Sequence, residues 1–132
     1  MNKSSQPQIK LECRSEPASV TALRHRAAAF AAEQGADEQL VGDVNLAVSE
    51  AVTNAVKYAG PTGSPGELVF SASAADGWLE LSLTDAGESF GRGSSDGLGL
   101  GLAIIARLCD DLKIVQEGAG TTVLMRFALA RP

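Results

Sequence analysis

An acid and an amide four residues apart form the pair in this sequence best suited to chemistry. Glu50 and Asn54 lie in the stretch SEAVTNAVKYA, and residues at this spacing share one helix face about 6 Å apart along the axis. An amide oxygen suits Mg²⁺, which often takes only one or two protein ligands and completes its octahedron with phosphate oxygens and water. A carboxylate one turn away can accept the proton of a hydroxyl nucleophile, so the pair fits phosphoryl transfer.

The same pair also fits an ordinary solvated helix surface. A helical projection predicts Glu50, Asn54 and Lys57 on the side opposite the apolar stripe, where any surface helix carries polar residues. Two features favour a ligand instead. Asparagine is a poor residue for a helix interior, and its neighbours are small: Ala47, Ser49, Ala51, Thr53 and Ala55. We therefore expect a ligand to lie close against this helix.

Two polar side chains fall on otherwise apolar strand faces. In WLELSLTD a period of two aligns Asp85 with three leucines, and in GTTVLMRFAL it aligns Thr121 with four apolar residues. An Asx-type turn is the plain explanation for Asp85, and β-propensity is the plain explanation for Thr121. If both groups point between sheet and helices, they can hydrogen-bond a flat heterocycle with an exocyclic amino group. Adenine meets that description.

Residues 91–105, GRGSSDGLGLGLAII, pass from a glycine-rich loop into a helix. Glycines allow a ligand to approach the backbone closely, and a helix N-terminus presents unpaired N–H groups that favour phosphate. Neither the βαβ context of a dinucleotide-binding GxGxxG nor the GK[ST] of a P-loop is present. The alternative is a capping or packing device for a leucine-rich helix.

The elements that must position these residues follow from hydrophobic periodicity. A period of two predicts strands at IKLEC, ELVFSASA, WLELSLTD, DLKIVQE and TTVLMRFAL. A period of 3.6 predicts helices from Pro17 to near Gly35, from near Asp37 onward, and from Leu98 to Cys109. The stripe of the second helix is Val41, Val44, Val48, Val52, Ala55 and Ala59. The order β-α-α-β-β-α-β-β predicts an α+β two-layer sandwich, with a mixed sheet covered on one face by helices.

Length and composition limit the class of protein. With 132 residues and 45% hydrophobic content, we expect a single domain over residues 1–132, of which 1–7 form a disordered tail. A net charge of -5 argues against a direct nucleic-acid partner. No apolar run approaches the roughly 18 residues of a membrane helix, so we expect a soluble, cytoplasmic protein without a membrane partner.

Cysteine and histidine give no sign of a metal or redox centre. Cys13 and Cys109 are far apart and lack metal-ligand spacing, which indicates small core hydrophobes rather than a disulfide or zinc site. The only histidine, His25, lies between two arginines on a predicted helix and is expected on a solvated face.

Four segments taken together resemble a known family. In order and spacing they resemble the four boxes of the GHKL (Bergerat-fold, histidine-kinase-like) ATPases. The segments are SEAVTNAVKYA, DAGESF, GLGLGLAII followed by LCDDLKI, and GTTVLMRF. The resemblance is strongest to the anti-sigma factor serine kinase branch and covers nearly the full chain. It implies the Bergerat fold, with ATP and Mg²⁺ as cofactors.

The resemblance implies a role for each residue around the phosphates. Glu50 would be the catalytic base that activates a serine hydroxyl on a partner protein, Asn54 would be the magnesium ligand, and Lys57 would lie near the phosphates. The glycines of the third box and the backbone between them would follow the triphosphate: Gly97, Leu98, Gly99, Leu100 and Gly101.

The resemblance also implies the adenine end of the site. Asp85 would accept a hydrogen bond from the adenine amino group, Gly87 would let the base pack closely, and Thr121 would support it. The sequence departs from the family at one position, because the second glycine of the DxGxG box is Ser89 here. A side chain at this position reduces backbone freedom beside the nucleotide.

For function, the resemblance implies a protein serine kinase that regulates transcription. It would phosphorylate a STAS-type anti-anti-sigma partner and sequester an RNA polymerase sigma factor. Arg24 is a candidate partner contact. A homodimer through the first strand is possible. The short loop from Gly91 to Asp96 and the absence of a sensor segment argue against a multidomain sensor histidine kinase. Two alternatives stay open: a nucleotide-binding anti-sigma or regulator-binding module without phosphotransfer, and an interaction domain without nucleotide.

Overall fold

The computed structural model describes residues 6–57, 66–85, 98–117 and 120–130. The elements follow the predicted order β-α-α-β-β-α-β-β. They are β1 (Gln8–Arg14), α1 (Pro17–Glu33), α2 (Glu38–Lys57), β2 (Glu67–Ala75), β3 (Trp78–Asp85), α3 (Leu98–Leu108), β4 (Asp111–Glu117) and β5 (Gly120–Ala128). The two-layer α+β architecture predicted from the sequence is confirmed. No helix of the described residues is long and apolar enough to cross a membrane.

The five strands form one sheet in the order β1-β2-β3-β5-β4. Every neighbouring pair is antiparallel, so the prediction of a mixed sheet was wrong in this respect. The α3 crossover does make β3 and β4 run in the same direction. They are not neighbours, however, because β5 lies between them and pairs antiparallel with both.

Local sequence signals account for the boundaries of the first two helices. Pro17 begins α1 at a position where the missing N–H costs nothing. Gly35, with φ of 96°, ends it in a Schellman arrangement: its N–H donates to the Ala32 carbonyl, and the Ala36 N–H donates to that of Ala31. Asp37 then caps α2, because its Oδ1 accepts from the Leu40 N–H at 2.8 Å.

The core lies between the sheet and the helices. Val44, Val48 and Val52 of the predicted stripe are fully buried, and α2 packs against α1, α3 and β3. The facing strand residues alternate as predicted, with Leu79, Leu81 and Leu83 buried on β3. Cys13 and Cys109 are free thiols that pack at the edge of this core. Burial raises the pKa of the Cys109 thiol.

The opposite face of the sheet is polar. Hydroxyl pairs cross neighbouring strands at Ser71–Ser82 (2.6 Å) and Thr84–Thr122 (2.7 Å). Near the β2–β3 hairpin, the Arg126 guanidinium stacks over the Trp78 ring at 4.2 Å from its centroid. The alternation of the strands therefore separates an apolar face toward the helices from a hydrogen-bonded outer face.

Candidate functional site

Asn54 is buried rather than solvated. Only 4% of it is exposed, although the helical projection predicted it on the side opposite the valine stripe. This side of the helix is not solvated at Asn54, because α3 packs along the flank of α2 and covers this position. Within the part of the chain that the structure describes, the Nδ2 amide of Asn54 has no hydrogen-bond partner. An unpaired buried amide costs about 1–3 kcal/mol, so this side chain is a candidate for binding a ligand.

Gly101 is the residue of α3 that meets this amide. A Cβ built on Gly101 would overlap Asn54 Nδ2, which would have to shift, and would lie 3.1 Å from Asn54 Oδ1. Glycine therefore creates the space that the amide occupies. The sequence predicted Gly101 as a glycine facing the phosphates, but it did not show that this glycine seats the side chain of Asn54.

Glu50 lies one turn before Asn54 on α2 and is partly exposed. The two side chains therefore share a helix flank, as their spacing predicted. The amide is enclosed and the carboxylate reaches the surface. Glu50 is therefore accessible to a group presented from outside the molecule, whereas Asn54 is accessible only from between the helices.

Asp85 and Thr121 are the two buried polar residues at the strand ends, with 6% and 1% exposed. They are directly opposite each other in the β3–β5 register, so their Cβ atoms are about 5 Å apart. Both lie on the apolar, helix-facing side of the sheet, as predicted. The register, which the sequence did not show, brings them together as a pair of hydrogen-bonding groups.

A chain of contacts places the helix residues and the strand residues at the same end of the molecule. Ser15, which follows β1, donates its hydroxyl to the carbonyl of Ala55, the residue after Asn54, at 3.4 Å. The Ser15 N–H donates to the Gly66 carbonyl at 2.9 Å. Gly66 leads into β2, where Leu68 pairs with Asp85. Sequence reasoning missed Ser15, because a buried serine after a short strand has no distinctive local pattern.

The remaining predicted site residues are only partly described. Leu98, Gly99 and Leu100 form the first turn of α3, and Lys57 is the last residue of α2. Gly87, Gly97 and Ser89 lie outside the described residues, so their predicted roles stay predictions. Arg24 is half-buried on α1, beside the exposed His25.

Solved structures share this fold. The RsbU and RsbW domains of Rv1364c from Mycobacterium tuberculosis superpose with a TM-score of 0.78 at 28% identity, covering 96% of this chain and 33% of that one. The chain therefore spans about a third of that two-domain structure. The histidine kinase domain of the blue-light activated kinase from Erythrobacter litoralis superposes with a TM-score of 0.56 at 22% identity, which shows the fold alone. The architecture is that of the GHKL ATPases.

Residues 13–127 match the histidine kinase-like ATPase domain model, and the chain belongs to that family. Curated relatives are named serine-protein kinase RsbW. The Bacillus licheniformis protein is 31% identical, with 93% of this chain and 86% of the relative covered. The Listeria innocua protein is 28% identical, with 90% and 86% covered. The family recognised from the four sequence segments is therefore confirmed.

Proposed function

We propose that this chain is a cytoplasmic anti-sigma factor with ATP-dependent serine kinase activity. It binds ATP with Mg²⁺ at the end of the molecule that holds Asn54, Asp85 and Thr121. It transfers the γ-phosphate to a serine of a STAS-type anti-anti-sigma protein, and it also sequesters an RNA polymerase sigma factor. Family membership and the serine-protein kinase name of the relatives support the proposal.

The observation that carries the proposal is the buried, unpaired amide of Asn54 beside Gly101. Its Oδ1 is a suitable neutral ligand for Mg²⁺, and its Nδ2 can donate to a phosphate oxygen. Among the described residues no group of three or more His, Cys, Asp or Glu side chains could hold a metal ion. A site with one protein ligand is the kind that Mg²⁺ occupies together with nucleotide phosphates.

The other residues divide the remaining tasks. Asp85 accepts a hydrogen bond from the adenine amino group, and Thr121, opposite it, supports the same end of the nucleotide. When bound, Mg²⁺ neutralises charge on the phosphate oxygens. Glu50, partly exposed, orients the serine hydroxyl of the partner and accepts its proton as the oxygen attacks the γ-phosphate. The bond from the γ-phosphorus to the β,γ-bridging oxygen breaks in the same transfer, and ADP leaves.

Incubation with labelled ATP, Mg²⁺ and the cognate STAS protein tests the kinase activity. Labelled serine is expected with the wild-type chain. Glu50→Gln should reduce transfer at least 100-fold, as loss of a general base does, while ATP binding is retained. Glu33→Gln is the matched control, because Glu33 is an exposed carboxylate at the end of α1 and should leave transfer unchanged.

Two results would decide against the kinase. If ATP binds tightly and no phosphate reaches the partner, the chain is a nucleotide-binding regulator without phosphotransfer. If ATP does not bind, the chain is an interaction domain of another kind.

The sigma-factor interaction is tested separately by copurification with ADP or ATP present, where Arg24→Ala should weaken retention of the sigma factor. Sedimentation of the free chain tests a homodimer through β1.

A further inference from the structure

Ser15 joins the two parts of the molecule that the proposed nucleotide site requires. It follows β1 directly and is buried, with 8% of its surface exposed. Its backbone N–H donates to the Gly66 carbonyl at 2.9 Å, and its hydroxyl donates to the Ala55 carbonyl at 3.4 Å. One residue therefore contacts the start of β2 through its backbone and α2 through its side chain.

The backbone contact fixes Ser15 at the end of the sheet where adenine is proposed to bind. It extends the β1–β2 ladder by one position. Two residues after Gly66, Leu68 of β2 pairs with Asp85, and Asp85 pairs in turn with Thr121. Ser15 is therefore held by the same hydrogen-bonded sheet that carries the two buried polar groups of the strand ends.

The side-chain contact reaches the turn of α2 that carries Asn54. Ala55 is the next residue and is buried, with 1% exposed, and its carbonyl lies in the last turn of α2, where carbonyl groups have no partner within a helix. The 3.4 Å distance is longer than the usual range of about 2.5–3.0 Å for a hydroxyl donor. The contact therefore adds little stability, but it restricts where the last turn of α2 lies relative to the sheet.

We propose that Ser15 is a positioning residue for ATP binding, an inference that rests on the proposed function. It sets the separation between the Asn54 amide on α2 and the Asp85 carboxyl group on β3. A nucleotide that spans both groups binds well only when their separation matches its own length, and such groups must be held within about 0.5 Å of the productive geometry. Ser15 acts on this geometry through the backbone of its neighbours and not on the nucleotide itself.

Ser19 is the matched control for this residue. It is buried to a similar degree, with 5% exposed, and its hydroxyl donates to the Arg14 carbonyl at 2.5 Å. That contact joins α1 to the end of β1 and does not involve α2. Because the shorter hydrogen bond is the stronger one, Ser19→Ala should destabilise the fold in urea titrations at least as much as Ser15→Ala does.

Calorimetric titration with Mg²⁺-ATP tests the positioning role. Ser15→Ala keeps the backbone hydrogen bond to Gly66 and loses only the hydroxyl, so the variant should fold. Its Kd for Mg²⁺-ATP should rise about fivefold, which is less than the roughly 10–100-fold that loss of a direct partner of a metal ligand costs. Ser19→Ala should bind Mg²⁺-ATP with the wild-type Kd. Adenosine carries no phosphate and requires only the Asp85 end, so both variants should bind it as the wild-type chain does.

The side-chain amide of Asn54 gives a readout that requires no nucleotide. In heteronuclear NMR spectra of the free chain, its signal should shift in Ser15→Ala and keep its wild-type position in Ser19→Ala. A residue that only stabilises the fold would not separate the two variants in this way.

The outcomes separate this inference from the proposed function. Equal Mg²⁺-ATP affinity of Ser15→Ala and a binding-competent wild-type chain would overturn the positioning role and leave the proposed function intact. Equal weakening in Ser15→Ala and Ser19→Ala, or an equal loss of adenosine affinity in Ser15→Ala, would also overturn it. A loss of Mg²⁺-ATP affinity confined to Ser15→Ala would support it even if the chain transfers no phosphate. A wild-type chain that does not bind Mg²⁺-ATP would overturn both the nucleotide site and this inference.

Discussion

The contact between Gly101 and Asn54 allows a substitution that should change ATP binding at the proposed site without changing the stability of the fold. In Gly101→Ala the new Cβ must displace the end of the Asn54 side chain, which can rotate, and alanine adds about 1 kcal/mol of helix propensity. We therefore expect a folded protein of nearly unchanged stability. Because the amide is displaced, the affinity for Mg²⁺-ATP should fall at least tenfold. Isothermal titration calorimetry measures this affinity.

Gly66→Ala is the control for that substitution. A Cβ on Gly66 meets nothing within 4 Å, so nucleotide affinity should stay at the wild-type value. If Gly101→Ala binds Mg²⁺-ATP as tightly as Gly66→Ala does, the Asn54 amide does not hold the phosphates or their metal.

Adjacent threonines on β5 allow a second comparison at the scale of single residues. Thr121 is buried opposite Asp85, whereas Thr122 is on the outer face and pairs with Thr84. Thr121→Val should weaken ATP binding by about 1–2 kcal/mol, because a group at the proposed adenine end loses a hydrogen-bond partner. Thr122→Val should change stability slightly and ATP affinity not at all. Equal ATP affinity in the two variants would remove Thr121 from the site.

At the scale of elements, the two long helices differ in how they begin. Asp37 caps α2 with a side-chain hydrogen bond, whereas Glu16, at the same position before α1, makes none. Asp37→Ala should therefore lower the free energy of unfolding by about 1 kcal/mol in urea titrations. Glu16→Ala should lower it by much less. A similar loss in both variants would show that the Asp37 hydrogen bond does not stabilise α2.

Sequence periodicity predicted the elements because each depends on local patterns. The β2–β3 hairpin follows from Asp76 and Gly77, whose positive φ angles of 56° and 82° match the turn that such a pair favours. Strand order is not local, so the position of β5 between β3 and β4, and hence an all-antiparallel sheet, was not predicted. The same holds for Asn54, whose burial depends on where α3 packs.

The sequence predicted the candidate residues of the site but not how they are arranged in space. The types and spacing of Glu50 and Asn54 predicted a division of labour on one helix, which stays a prediction. The period of two correctly put Asp85 and Thr121 on the inner face. Only the β3–β5 register makes the last two direct neighbours. Contacts between segments far apart in sequence, such as Ser15 with Ala55, bring the helix and strand residues to one end.

At the scale of the whole molecule, a ligand held by α2, α3, β3 and β5 stabilises every element that contributes to its site. ATP with Mg²⁺ at 100 times its dissociation constant should add about 2.7 kcal/mol to the free energy of unfolding. For a domain of this size that corresponds to a rise of about 10 °C in melting temperature. Glu50→Gln should keep the rise, because the base acts on the partner, and Gly101→Ala should lose most of it.

GTP is the informative comparison for the same measurement. Guanine carries a carbonyl where adenine carries the amino group, and a carboxyl group at Asp85 that accepts from an amine gains nothing from a carbonyl acceptor. We therefore expect GTP to raise the melting temperature far less than ATP at equal concentration. Equal stabilisation by the two nucleotides would show that Asp85 does not read the base. No stabilisation by either would show that the unpaired amide of Asn54 does not hold a nucleotide.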